Sequence, residues 1–222
     1  MNRARLTPDG SALLYLVVPK PDESSHNIQI MRVPVAGGPS QFVLQAPRIG
    51  NQQCARLPST LCIYSSADSN RQSFFSFDPM NGTGKLLATF EGGPLDWSLS
   101  PDGKYLATVK WGGQTDPGIQ ILSIADNSKR TIPVRGWAAI SFVDWSADGK
   151  SLWACAFNPR KGWWFEFWET FALLNIDLNG NVTATPAKGN ISFYWAIPSP
   201  DGRRLALRAG TNSSNVWLVE NF

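Results

Sequence analysis

Carboxylates are the first residues whose type and spacing suggest chemistry. Asp9, Asp102, Asp148 and Asp201 each precede a glycine (Gly10, Gly103, Gly149, Gly202), and three of them follow a proline (Pro8, Pro101, Pro200). A ring of repeated carboxylates would suit a metal ion. The competing reading is Asx-type bonding of each aspartate to its own turn. Proline presets φ at the first corner and glycine supplies φ > 0, so the turn alone accounts for the recurrence. These residues are read as structural, with no metal and no cofactor expected. Asp96-Trp97 and Asp144-Trp145 form a second recurring pair, and Trp195 is expected at the matching place near the end of the chain. The pair would either line a polar channel or pack one repeat on the next, and packing is the expectation. His26 is the single histidine and stands beside Asp22, Glu23, Ser24 and Ser25. Residue type alone would permit a Ser/His/Asp arrangement. No Gly-x-Ser-x-Gly motif accompanies it, so it reads as a loop histidine and no enzyme activity is expected.

The three cysteines, Cys54, Cys62 and Cys155, make no C-x-x-C, and one histidine leaves no zinc set. Cys54 and Cys62 flank Pro58 symmetrically. A hairpin centred there brings them opposite each other. In an oxidising compartment they would form a cross-strand disulfide; the alternative is two buried small side chains.

The elements that must position these residues are set by the turns. Thr7-Pro8-Asp9-Gly10, Ser100-Pro101-Asp102-Gly103, Ser146-Ala147-Asp148-Gly149 and Ser199-Pro200-Asp201-Gly202 are copies of one signal, and Leu57-Pro58-Ser59-Thr60 is a worn copy. Successive copies lie 43 to 53 residues apart. A second punctuation recurs at Gly37-Gly38, Asn81-Gly82, Asp126-Asn127 and Asn179-Gly180. Both signals join short alternating strands, and no stretch holds a capped 3.6-residue period. Four antiparallel strands at a period of roughly 40–50 residues describe a propeller blade. The expectation is an all-β propeller of about five four-stranded blades, with approximate units 1–46, 47–90, 91–135, 136–187 and 188–222. The chain reads as an arc of a larger ring of six to eight blades, closure of five being the other solution.

Bulk properties narrow the function. Charged residues make up 17%, against roughly 25% in an average chain, which suits strands buried between sheets. The net charge is +3 and no Lys/Arg run exceeds two, a poor footprint for nucleic acid. No apolar run reaches the length of a transmembrane helix. Residues 1–5 lack an apolar signal core, and the compartment stays open. One connection departs from the pattern: Trp163, Trp164, Phe165, Phe167, Trp168 and Phe171 crowd the link between the second and third strands of the fourth unit. Loops normally face water, so this stretch reads either as an interaction surface or as an extension of the third strand with its rings over the blade edge. It is the candidate interaction surface of the chain.

The repeated Ser-Pro-Asp-Gly-(Lys/Arg)-x-Leu-Ala resembles the WD-like repeat of TolB-type propellers. Arg32-Val33-Pro34-Val35-Ala36-Gly37-Gly38, Trp195 to Gly202 and the ending Asn215 to Phe222 resemble the C-terminal propellers of acidobacterial-type regulators. That resemblance implies a sensor propeller beside a winged-helix or Ser/Thr-kinase domain, neither of which is visible here. The expected function is a non-enzymatic recognition or sensor module for a protein or small ligand. The alternatives are the non-catalytic gating propeller of a serine peptidase or other hydrolase, and a structural fragment with no binding of its own.

Overall fold

The computed structural model describes residues 4–20, 27–82, 84–92, 95–110, 117–159, 169–187 and 191–211. These form five antiparallel sheets in chain order. The first holds β1 (Arg5–Leu6), β2 (Ala12–Val17), β3 (Asn27–Pro34) and β4 (Gln41–Pro47); the second holds β5 (Ile49–Cys54), β6 (Cys62–Ala67), β7 (Arg71–Phe77) and β8 (Leu86–Glu91). The third holds β9 (Leu95–Leu99), β10 (Tyr105–Lys110), β11 (Gly118–Ser123) and β12 (Lys129–Pro133); the fourth holds β13 (Ala139–Trp145), β14 (Ser151–Pro159), β15 (Glu169–Asp177) and β16 (Val182–Pro186). The fifth pairs β17 (Ile191–Pro198) with β18 (Leu205–Thr211). Each sheet runs in simple up-and-down order, so within a sheet every strand pairs antiparallel with the next in sequence. The architecture is an all-β propeller of four-stranded blades. No helix among the described residues is long and apolar enough to cross a membrane.

The hydrophobic core lies between sheets. β2 alternates buried and half-buried along Ala-Leu-Leu-Tyr-Leu, as the period-two geometry of a strand requires. Leu14, Leu16 and Ile30 of the first sheet meet Ile49, Cys62 and Phe77 of the second. Phe74 and Phe90 of the second meet Trp97 and Leu106 of the third. Val109, Ile119 and Ile121 of the third meet Val143, Trp145 and Leu152 of the fourth. Cys155 and Leu173 of the fourth meet Ala196 of the fifth. A central blade has a neighbour on both faces. Leu106 to Val109 are therefore buried at every position, Thr108 included, and a continuous buried run replaces alternation.

The turns share one hydrogen-bond plan. Thr7, Ser100, Ser146 and Ser199 each donate a hydroxyl to the Oδ1 of the aspartate two residues on, at 2.5–2.7 Å. That Oδ1 also accepts the amide two residues further, at 3.1 Å in all four turns. The glycine amide returns to the carbonyl of the Ser or Thr at 2.9–3.0 Å, with φ of 70–75°. Asp9, Asp102, Asp148 and Asp201 are thus occupied by their own turns. Among the described residues no three His, Cys, Asp or Glu side chains converge on a metal-sized site.

Candidate functional site

The axis of the propeller is lined by the first strand of each sheet. Counting outward from the turns, one register position recurs. Arg5, Ser98, Asp144 and Ile197 pair with Leu14, Ala107, Trp153 and Ala206, each four residues beyond a turn glycine. Gln53, paired with Ile63, holds the place in the second sheet. Four of these five side chains are polar, and they are joined. Arg5 Nη2 donates to Asp144 Oδ2 at 2.7 Å. Asp144 Oδ1 accepts from Ser98 Oγ at 2.9 Å. Gln53 Oε1 accepts from the Leu99 amide at 2.9 Å and lies 3.2 Å from Ser98 Oγ, whose one proton goes to Asp144, while Gln53 Nε2 donates to the Trp97 carbonyl at 3.0 Å. Ile197 is the apolar member. The network ties the first sheet to the fourth across the axis, because the long Arg5 side chain spans what short Ser98 cannot.

The sequence pairing of Asp96-Trp97 with Asp144-Trp145 is corrected by this register. Asp96 pairs with Val109, two residues further from its turn than Asp144 stands from its own. Trp195, opposite Arg208, matches Asp96 and not a tryptophan. The packing role of the tryptophans nevertheless holds. Trp97 Nε1 donates to Ser65 Oγ of the preceding sheet at 2.9 Å, and Trp145 Nε1 donates to the Ser98 carbonyl of its preceding sheet at 3.2 Å.

One turn differs from the others, and its difference has a use. The worn turn of the second sheet brings Arg56 and Leu57 to the centre of the face that carries the turns. The Arg56 amide donates to the Pro101 carbonyl at 2.8 Å, and the Leu57 amide to the Pro8 carbonyl at 3.4 Å. Arg56 Nη1 donates to the carbonyls of Ala147 at 3.2 Å and Pro200 at 3.0 Å. The second residue of every other turn thus presents its carbonyl to this segment. Burial pulls the Arg56 guanidinium below the ordinary arginine range, Asp144 opposing and Arg5 adding to the shift. Ordinary arginine lies so high that Arg56 keeps its charge at neutral pH.

Two cavities open on the same face. A cleft of about 680 Å³ lies between the first and second sheets, with Arg32, Leu57, Phe77, Asp78, Pro79 and Met80 in its lining. The Arg32 guanidinium contacts Met80 Sδ and Gln41 Oε1. Asp78 accepts the amides of Met80 at 2.7 Å and Asn81 at 3.2 Å, and these bonds, that of Met80 first, hold its carboxyl below the ordinary aspartate range. A second pocket of about 500 Å³ lies where the fifth sheet faces the first and second.

Cys54 and Cys62 are directly opposed in the β5–β6 ladder and disulfide-bonded, with Cα atoms 4.0 Å apart. Cys155 is buried, and burial with the nearby Asp96 charge pushes its thiol up to about 12. A thiol so protonated has no nucleophilic role at neutral pH. Trp163, Trp164, Phe165, Phe167, Trp168 and His26 lie outside the described residues. The strands flanking the Trp-rich stretch pair as far as Pro159 with Glu169, so β14 and β15 are the longest partners in the fold. The interior polar ring and the Arg56 contacts escaped sequence reasoning. Their only signal was registry counted from the turns.

No protein-family model matches the sequence, nor does any curated protein. Solved structures do. A putative TolB from Agrobacterium tumefaciens superposes with a TM-score of 0.67 at 17% identity, over 95% of this chain and 70% of its own. TolB from Acinetobacter baumannii gives 0.64 at 16% identity, over 95% of this chain and 52% of its own. Puromycin hydrolase, as its S511A mutant complexed with PGG, gives 0.57 at 18% identity, over 91% of this chain but only 32% of its own. The chain therefore spans 52% and 70% of the two TolB structures and 32% of the hydrolase. At these identities the likeness is one of fold alone: the chain is a β-propeller, as are the structures it resembles.

Proposed function

We propose that the chain is a non-enzymatic recognition module that takes its ligand in the cleft between the first and second blades. The observation that carries this is the cleft itself, about 680 Å³ and lined by Leu57, Phe77, Pro79 and Met80 with Arg32 and Asp78 at its margin. Small-molecule sites commonly hold roughly 300–1,000 Å³ of mainly apolar wall with a few placed polar groups. Directly over the axis, Arg56 is tied to the Ala147 and Pro200 carbonyls and Ser98 to Asp144, so those polar groups are already engaged. Rigidity supports the reading: the cleft walls are strands and hydrogen-bonded turns, so little order has to be created on binding. The resemblance of 32–38 and 195–202 to regulator propellers supports a sensing role within a larger bacterial protein.

The test is a thermal-shift and calorimetric screen of a small-molecule and peptide library against the wild type and Thr60→Trp. Thr60 is an exposed cleft residue, and the added indole fills the cavity. Ligands that bind the wild type and are lost in Thr60→Trp, with an unchanged melt, support the proposal. Equal binding to both removes it. The likeness to part of puromycin hydrolase favours a second reading, a non-catalytic propeller accompanying a hydrolase domain. A hydrolase domain encoded in the same reading frame would favour that reading, and a winged-helix or kinase domain the first.

A further inference from the structure

From the second pocket we infer a second site, for a small monocarboxylate, its carboxyl group held by Arg5 and Arg56 and its apolar body against Leu13, Leu57, Ile197 and Pro198. All six residues line the 500 Å³ cavity where the fifth sheet faces the first two. Two guanidiniums in one lining point to an anion. Arg5 is balanced by Asp144, but its Nε is buried with no hydrogen-bond partner. Arg56 is half-buried and bonds only neutral carbonyls through Nη1; among the described residues it makes no ion pair. Asp9, the one carboxylate in the lining, already accepts from the Thr7 hydroxyl and from the Ser11 amide and hydroxyl. Two guanidiniums therefore line one cavity: Arg5 shares Asp144 with the Ser98 hydroxyl, Asp9 is held within its own turn, and Arg56 has no carboxylate in direct contact among the described residues. A planar carboxylate matches the donor fork of a guanidinium, and its desolvation is offset by charge-assisted bonds.

The apolar half follows from the axial register. Ile197 holds the place that Asp144 and Ser98 hold in their sheets. The polar ring is open at that point, and the pocket lies against the opening. A ligand with a small branched body fits this wall, whereas inorganic anions leave it unfilled. The two cavities share Leu57 and the Thr7–Asp9 turn, but Thr60 lines only the cleft between the first and second blades, so Thr60→Trp tells the two sites apart.

The experiment is calorimetric titration of the whole chain with N-acetyl-L-leucine and with N-acetyl-L-leucinamide at constant ionic strength. The acid is expected to bind at least tenfold more tightly than the amide, and Thr60→Trp is expected to bind it as the wild type does. Arg56→Gln is expected to weaken the acid at least tenfold. Because Arg56 also holds the Ala147 and Pro200 carbonyls, Arg56→Gln can lose its fold, so Ile197→Asp is the second variant. It places a carboxylate at the register position that already accepts one in the fourth sheet, beside both arginines. It is expected to keep the melting temperature and abolish acid binding. Equal affinity for acid and amide, no heat from the acid at millimolar concentration, or undiminished binding by a folded Ile197→Asp overturns the proposal.

Discussion

Asp144→Ala tests the axial network most directly. The substitution removes both acceptors at once: Oδ2 at 2.7 Å from Arg5 Nη2 and Oδ1 at 2.9 Å from Ser98 Oγ. The Arg5 and Asp144 side chains are only 14% and 11% exposed, so solvent screens the pair little. Removing one partner of a buried pair strands the other charge and typically costs about 3–5 kcal/mol. For a chain of this size each kcal/mol moves the melting temperature about 2–4 °C, so the drop should be about 6–20 °C. Urea unfolding and calorimetry of Asp144→Ala, Arg5→Ala and the double variant form the cycle. The two effects should be non-additive by about 0.5–3 kcal/mol, since the second substitution removes a charge already orphaned by the first. Arg5→Met with Asp144→Leu should recover much of the loss, because an apolar pair of similar volume needs no partner. A cost for Asp144→Ala below about 1 kcal/mol, the range of an exposed ion pair, would refute the buried network, as would strict additivity.

Other expectations follow from the same geometry. Gly10 and Gly82 share a φ of 72°, yet an added Cβ meets open space at Gly10 and would lie 2.1 Å from the Val43 carbonyl oxygen at Gly82. Gly10→Ala should cost about 1–2 kcal/mol for the left-handed backbone alone, and Gly82→Ala a further 1–3 kcal/mol of overpacking, about the cost seen in tight cores, in paired denaturation curves. The Thr7 hydroxyl, then Ser11, hold Asp9 down from 3.8 to about 2, and Asp148 and Asp201 are lowered chiefly by the hydroxyls of Ser146 and Ser199. A depressed carboxyl stabilises the fold above its unfolded value and ceases to do so as pH falls through its folded value. The melting temperature should therefore hold above about pH 4 and fall toward about pH 2, and Asp9→Asn should flatten that fall. Without reductant, Ellman titration should find no reactive thiol in the folded chain and one after denaturation, that of Cys155; a second thiol would contradict the Cys54–Cys62 bond.

The blade order was legible because turns carry their chemistry in fixed letters. Pro, Asp and Gly are each demanded by a dihedral or a local hydrogen bond, so they repeat where the backbone repeats. The first four sheets end at Pro47, Glu91, Pro133 and Pro186. The axial ring was not legible, because its members share a position and not a residue type. Arg5, Gln53, Ser98, Asp144 and Ile197 complement one another instead of repeating. The Asp-Trp dipeptide misled for the opposite reason: identical letters stand two residues out of register. Arg56 was hidden by the very turn that departs from the pattern. That departure lets one side chain replace a local turn bond with contacts to Ala147 and Pro200.

The convergence on Arg56 and Leu57 also bears on how the chain comes apart. In a linear array each repeat touches only its neighbours, and units can melt one after another from the ends. Here residues 56 and 57 of the second blade hold the turns of the first, third, fourth and fifth. Loss of any one blade disturbs a contact shared by all. The propeller should unfold as a single cooperative unit despite its modular sequence, with the guanidinium of one atypical turn coupling blades that never meet side by side.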